Sequence, residues 1–157
     1  MSIHSDIKEE MKEAVRLRDR VRLTALRSII AEFTNEIIKK GAERDKEIDD
    51  ETAEQVIVRL VKQRRDSIEQ FEKAGRHDLA TIEQQELSVL EKYLPEQMTE
   101  KEIEGFLKEL MAKMKVSDRK KPGIVMSGAM QELKGRADGR AVKRIAEKLI
   151  GEWNEKS

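Results

Sequence analysis

Ten basic residues crowd the stretch from Lys115 to Lys148: Lys115, Arg119, Lys120, Lys121, Lys134, Arg136, Arg140, Lys143, Arg144 and Lys148. Only Asp118, Glu132, Asp138 and Glu147 oppose them, a surplus of six positive charges over 34 residues. A local surplus of this kind is the electrostatic footprint of a surface that meets phosphate. Lys120 and Lys121 stand just before a helix start at Pro122, and Lys134 and Arg136 just before another at Asp138. A helix start presents free N–H groups and a partial positive charge, so cations beside it reinforce an anion site. Gly135 and Gly139 let the backbone approach a ligand closely. Arg140, Lys143, Arg144 and Lys148 follow at helical steps along one solvent side. The competing reading is plain: a solvated, charged face with glycines marking its turns.

A second basic group, Lys62-Gln63-Arg64-Arg65 with Arg76-His77 beyond Gly75, has a different character. Arg64 interrupts an apolar stripe, and Glu83 and Glu86 on the next helix are its expected partners. An ion pair locking two helices is the favoured reading, and such a pair specifies register more than it stabilises. These two glutamates are also the only acid/base pair on offer, and Glu-x-x-Glu without histidine is thin ground for catalysis or metal. His4 and His77 are isolated, and zero Cys excludes thiolate ligands, disulfides and a cysteine nucleophile. There is no phosphate-binding glycine loop, no dinucleotide fingerprint and no Ser-His-Asp set. No catalytic residue, metal or cofactor is therefore expected. With aromatics at 3% of the chain, base-stacking platforms for single strands are disfavoured as well.

The elements that must carry these residues are helices. The chain has 157 residues, 41% of them charged, and only two prolines. About half of it is Ala, Glu, Lys, Leu and Arg, which points to an all-α fold. Leu, Ile, Val and Phe number 38, enough to lift it above the composition of disorder. The spacing predicts a first helix from Ser5 or Asp6, with Asp6 and Glu9 as a capping box. A second follows Asp19 and stops at Gly41. A charged loop, 42–48, leads to a third, capped by Asp49 or Asp50 and closed by Gly75. The fourth spans about Asp78 to Leu94, with Leu79, Ile82, Val89, Leu90 and Tyr93 inward, and Pro95 ends it. Beyond it, Thr99 and Glu102 open a fifth helix, Pro122 to Leu133 form a sixth, and Asp138 caps the last. Met111, Met114, Met126 and Met130 fall at core spacing. The expected architecture is an N-terminal domain of long antiparallel helices, residues 1–95, and a small three-helix domain, residues 96–157. No apolar run approaches the roughly 18 residues needed to span a membrane. A cytoplasmic protein, with the monomer favoured, is the expectation.

The stretch from Arg64 to Pro95, with Gln70-Phe71, Ala74-Gly75-Arg76, Asp78-Leu79-Ala80, Glu83 and Glu86, resembles the signature of the YqeY-like family. Lys134-Gly135-Arg136-Ala137-Asp138-Gly139 resembles its second signature. The resemblance implies a C-terminal domain similar to the tail of GatB, a subunit of the tRNA-dependent amidotransferase, and similar to a tRNA-holding domain of some glutaminyl-tRNA synthetases. It also implies the family's label of carbon–nitrogen ligase with glutamine as amido-N-donor, although the residues here offer no amidase or kinase centre. Where members usually read Met-Gly-Lys-Val-Met-Gly, this chain has Pro122-Gly123-Ile124-Val125-Met126-Ser127, so weight shifts from that helix start to Lys134, Arg136, Arg140, Lys143 and Arg144. The expected function is non-catalytic binding of tRNA, or of a tRNA-amidating or aminoacylating enzyme, through the basic C-terminal domain. The alternative is a protein–protein adaptor with no RNA contact, for which Ile29, Ile38, Val58 and Leu87 are read as exposed apolar positions.

Overall fold

The ends of the helices are set by local chemistry that is visible at each of them. The computed structural model describes residues 2–43 and 45–156, the Lys156 side chain excepted. Arg44, within the loop read as charged, lies outside the described residues. The helices are α1 (Ile3–Arg16), α2 (Arg20–Lys39), α3 (Asp50–Lys73), α4 (His77–Glu91), α5 (Glu100–Lys113), α6 (Pro122–Leu133) and α7 (Gly139–Lys156). Among the described residues there is no strand, only one parallel bridge between Lys134 and Ala137. The fold is all-α. The chain divides into two compact units, residues 1–94 and 95–157.

Side-chain oxygens satisfy the free N–H groups at most helix starts. Asp19 accepts from the Arg22 N–H at 3.1 Å and Asp49 from the Thr52 N–H at 2.7 Å. That bond from the Thr52 backbone also holds the Asp49 carboxyl below its usual range. Thr99 and Glu102 form a reciprocal box, with the Glu102 N–H on Thr99 Oγ1 and the Thr99 N–H on Glu102 Oε1. The first helix corrects the sequence reading. It starts at Ile3, and Ser2 caps it in a box with Ser5, four residues ahead of the expected Asp6–Glu9 pair. Tertiary bonds decide between the two: the Ile3 N–H donates to Asp50 Oδ1 at 2.9 Å and Ser2 Oγ to Glu47 Oε2 at 3.0 Å.

Three helices end in the same left-handed turn. After α2 and α3 the turning residue is glycine, Gly41 at φ +77° and Gly75 at φ +72°. After α1 it is Arg18, at φ +56°. In each case two successive N–H groups fold back on carbonyls of the last turn, as with Arg18 on Val15 at 3.1 Å and Asp19 on Ala14 at 3.0 Å. An L side chain in this region costs roughly 1–2 kcal/mol. The unfolded freedom of glycine returns part of that. Arg18→Gly is therefore expected to stabilise the protein by about 0.5 kcal/mol, read as a higher urea midpoint with unchanged slope. A lower midpoint would mean the arginine side chain contributes more than its backbone strain removes.

In residues 1–94 the core is built from Ile7, Leu26, Ile29, Phe33, Ile37, Val56, Ile57, Val61, Leu87 and Leu90. Two corrections follow for α4 and α2. Ile82, expected inward, is 50% exposed, whereas Leu87 and Ile29, read as exposed, are buried. Glu83 and Glu86 share the inward face of α4 with Leu87 and Leu90, and this mixture hides its phase. The face of α2 is wide because α1, α3 and α4 all pack on it. The fourth helix also ends at Glu91, short of the expected Leu94. A residue before proline disfavours helical backbone, so the chain tightens there, with the Tyr93 N–H on Leu90 and the Leu94 N–H on Glu91. In residues 95–157, Ile103, Leu107 and Met111 of α5 pack with Val125, Ala129 and Leu133 of α6 and Val142, Ala146 and Leu149 of α7. Met114, Met126 and Met130 pack around that cluster, half-buried.

Candidate nucleic-acid interface

Helix α7 places its apolar residues Val142, Ile145, Ala146, Leu149 and Ile150 inward. That orientation leaves Arg140, Lys143, Arg144 and Lys148 exposed on the opposite side. At about 1.5 Å per residue this row runs about 12 Å. Glu147 lies within it and lowers its charge. Arg144 reaches across to Glu100 at the start of α5 in an ion pair. The Arg140 N–H donates to Asp138 Oδ1 at 3.3 Å, which places Asp138 at the cap position read from the sequence.

Ahead of α7, Gly135 takes φ +83° and turns the chain between α6 and α7. The carbonyls of this turn are engaged. Gln97 Nε2 donates to the Gly135 carbonyl and the Met98 N–H to the Arg136 carbonyl, both at 2.8 Å. The side chains of Lys134 and Arg136 are left exposed. Lys120 and Lys121 are exposed just before α6, where Lys121 provides no side-chain cap and Pro122 occupies the first turn. Among the described residues Lys120, Lys121, Lys134, Arg136 and Lys143 make no ion pair. Free cations on an exposed surface keep their charge available to a polyanion. Gly139 opens α7 with the Met130 methyl 4.0 Å from where its Cβ would stand. Arg119 stacks over the Trp153 ring at 5.1 Å, so that aromatic face is covered.

Arg64, Glu83 and Glu86 come together in the other unit. Arg64 Nη1 meets Glu83 Oε2 at 3.0 Å and also pairs with Glu86, while Ser28 Oγ lies 3.5 Å from Nη2. The side chains are 17% exposed for Arg64, 26% for Glu83 and 12% for Glu86. The cation spends itself on two carboxylates and ties α3 to α4. Arg59 makes a parallel link from α3 to Glu32 and Glu36 of α2, each at 3.2 Å. Among the described residues no group of three or more His, Cys, Asp and Glu side chains is placed to hold a metal ion. None of their helices is long and apolar enough to cross a membrane. Sequence reasoning missed Glu100 and Gln97 as partners, because 44 and 38 residues separate them from Arg144 and Gly135 and no short motif links them. It also missed His4 as a core residue.

The two stretches that resemble a family signature thus lie in separate units, and the alignment joins them. The family model for the Yqey-like proteins matches residues 4–150. The chain belongs to the Yqey-like family. Among curated proteins, this Yqey-like chain is similar to the Altered inheritance of mitochondria protein 41, mitochondrial, of several fungi. The one from Lachancea thermotolerans is 28% identical over 160 residues, covering 98% of this chain and 82% of that protein. The one from Pyrenophora tritici-repentis is 31% identical over 149 residues, covering 92% and 79%. The Kluyveromyces lactis protein is 33% identical over 87 residues, 55% of this chain and 45% of that protein. These names overturn the expectation of a cytoplasmic protein, since the relatives are named as mitochondrial. Composition had no power to decide the matter: absence of cysteine suits any reducing compartment.

Proposed function

We propose that this Yqey-like protein is a non-catalytic, two-domain helical protein that holds tRNA by its phosphate backbone through residues 95–157. One observation carries the reading. Lys134, Arg136 and Lys143 are exposed and make no ion pair among the described residues, within a segment that carries six surplus positive charges. Arg140, Arg144, Lys120 and Lys121 extend the same cationic surface. The family's likeness to the tail of an amidotransferase subunit supports tRNA as the ligand. In this reading the ligase label describes a neighbouring subunit. The adaptor alternative is weaker than the sequence alone made it, because Ile29 and Leu87 lie in the core.

Titration of labelled tRNA at several salt concentrations tests the proposal. The triple variant Lys134→Ala/Arg136→Ala/Lys143→Ala is expected to bind about tenfold or more weakly. The slope of log K against log salt should fall by about 2, at 0.7–0.9 per phosphate contact. Equal binding and equal slopes for the two proteins would sink the idea.

A further inference from the structure

Helix α6 differs in kind from the helices around it. From Pro122 to Gln131 it carries no charged residue. Val125, Ala129 and Leu133 are buried, and Gly123, Ile124, Ser127 and Gln131 are exposed. Spacings of three, four and seven put these four on one strip about 12 Å long. Among the described residues Ser127 and Gln131 make no side-chain hydrogen bond, so a hydroxyl and an amide face outward unused. The space above Gly123 is open, with nothing within 4 Å of where its Cβ would stand. Glu132 falls outside the strip. Exposed cations bracket the helix, Lys120 and Lys121 at its start and Lys134 and Arg136 at its end. Lys121 and Lys134 stand about 20 Å apart along the axis.

A neutral strip that offers one hydroxyl and one amide between two positive ends complements a surface with an uncharged, hydroxyl-rich centre and anionic margins. The minor groove of an RNA duplex has this form: wide and shallow, showing 2′-hydroxyls and base edges between two phosphate backbones. The minor groove of B-form DNA, about 6 Å wide, does not admit a helix about 10 Å across, and it has no 2′-hydroxyl. A single strand calls for aromatic stacking, which the strip lacks. We infer that α6 lies across the minor groove of duplex RNA, with Ser127 and Gln131 on 2′-hydroxyls and the bracketing cations on opposite backbones. The inference rests on the reading of residues 95–157 as an RNA-binding unit. Ile124 and Ser127, which stand where the family usually has Lys and Gly, are what keep this strip neutral.

The test compares three fluorescent probes: an RNA duplex of about 16 base pairs, the DNA duplex of the same sequence, and the single RNA strand. The full-length protein is expected to prefer the RNA duplex to either competitor by about tenfold, the effect of one or two lost hydrogen bonds. Ser127→Leu, at an exposed helical position, should leave the melting curve unchanged. It should cut duplex-RNA affinity by about tenfold while sparing weak DNA binding, so that the preference collapses. Lys134→Ala/Arg136→Ala should weaken both duplexes together. Equal wild-type affinity for RNA and DNA duplexes, or a preference that survives Ser127→Leu, overturns this inference and leaves tRNA binding standing. Failure of the protein to bind any of the three probes or tRNA overturns both.

Discussion

Replacing Arg64 with alanine is expected to destabilise the protein by about 3 kcal/mol, at the lower end of the range for breaking a buried pair because some solvent reaches the group. The guanidinium answers two carboxylates, and Glu86 is 12% exposed at its side chain. Without Arg64 the Glu86 charge sits among apolar neighbours with no cation. The loss is that uncompensated charge and only secondarily the contact itself. Arg64→Met/Glu86→Leu should consequently recover most of the stability, since it removes the more deeply buried of the two carboxylates with its cation, fills similar volume, and leaves only Glu83, which is 26% exposed and reached by solvent. Urea unfolding of the single and double variants decides the matter. A double variant as unstable as Arg64→Ala would show that arginine packing, and not charge pairing, supports the seam between α3 and α4.

That ion pair also explains where the sequence was legible and where it was not. Helix α6 reads correctly to both ends because Pro122 and Gly135 are unambiguous punctuation. Asp19, Asp49 and the Thr99–Glu102 box read correctly because a cap is a local hydrogen bond. Helix α4 misreads because its inward face contains Glu83 and Glu86, placed there by a residue 19 and 22 positions away. An apolar-stripe rule rejects such a face and rotates the helix toward Ile82. The start of α1 misreads for a related reason: Ser2 and Asp6 are both competent caps, and bonds to Glu47 and Asp50 choose between them.

Phe33→Ala is expected to cost about 4 kcal/mol, the usual loss for emptying a buried aromatic site. Phe33 is fully buried in α2, and the His4 ring meets it edge to face at 5.1 Å. The same substitution should alter how stability responds to pH. His4 is 2% exposed, and its Nδ1 accepts the Ile48 N–H at 3.2 Å. Burial lowers its pKa below 6.5, Lys8 lowers it further, and Glu47 pulls the other way. The unfolded chain therefore takes up this proton first. Its contribution is complete above about pH 6.5 and is lost as the pH falls toward the folded value, by at most about 1.4 kcal/mol per unit. His4→Gln, which keeps an acceptor for Ile48, should remove this component of the acid limb. In Phe33→Ala, water reaching the ring should bring the His4 titration, followed by NMR, back toward 6.5. An unchanged acid limb in His4→Gln would assign the pH dependence to carboxylates.

The candidate interface was legible as a list of positions and illegible as a surface. Lys134, Arg136, Arg140, Lys143 and Arg144 stand out by charge density alone. Which of them remain available depends on partners far along the chain, as the Glu100 pair with Arg144 demonstrates. The neutral strip on α6 had no charge signal at all, and its exposure follows only from how α5 and α7 cover the opposite side.

The two bonds that tie Gln97 and Met98 to the Gly135–Arg136 turn have a kinetic meaning. They close a ring of chain that contains all of α5 and α6, the partners standing 38 positions apart in each case. Helical hydrogen bonds form locally and early, whereas a ring of this size closes only after the helices inside it are placed. The Met98 amide therefore serves as a clock for the C-terminal unit. Its deuterium exchange should keep pace with opening of that whole unit, while amides at the free ends of its helices exchange by fraying.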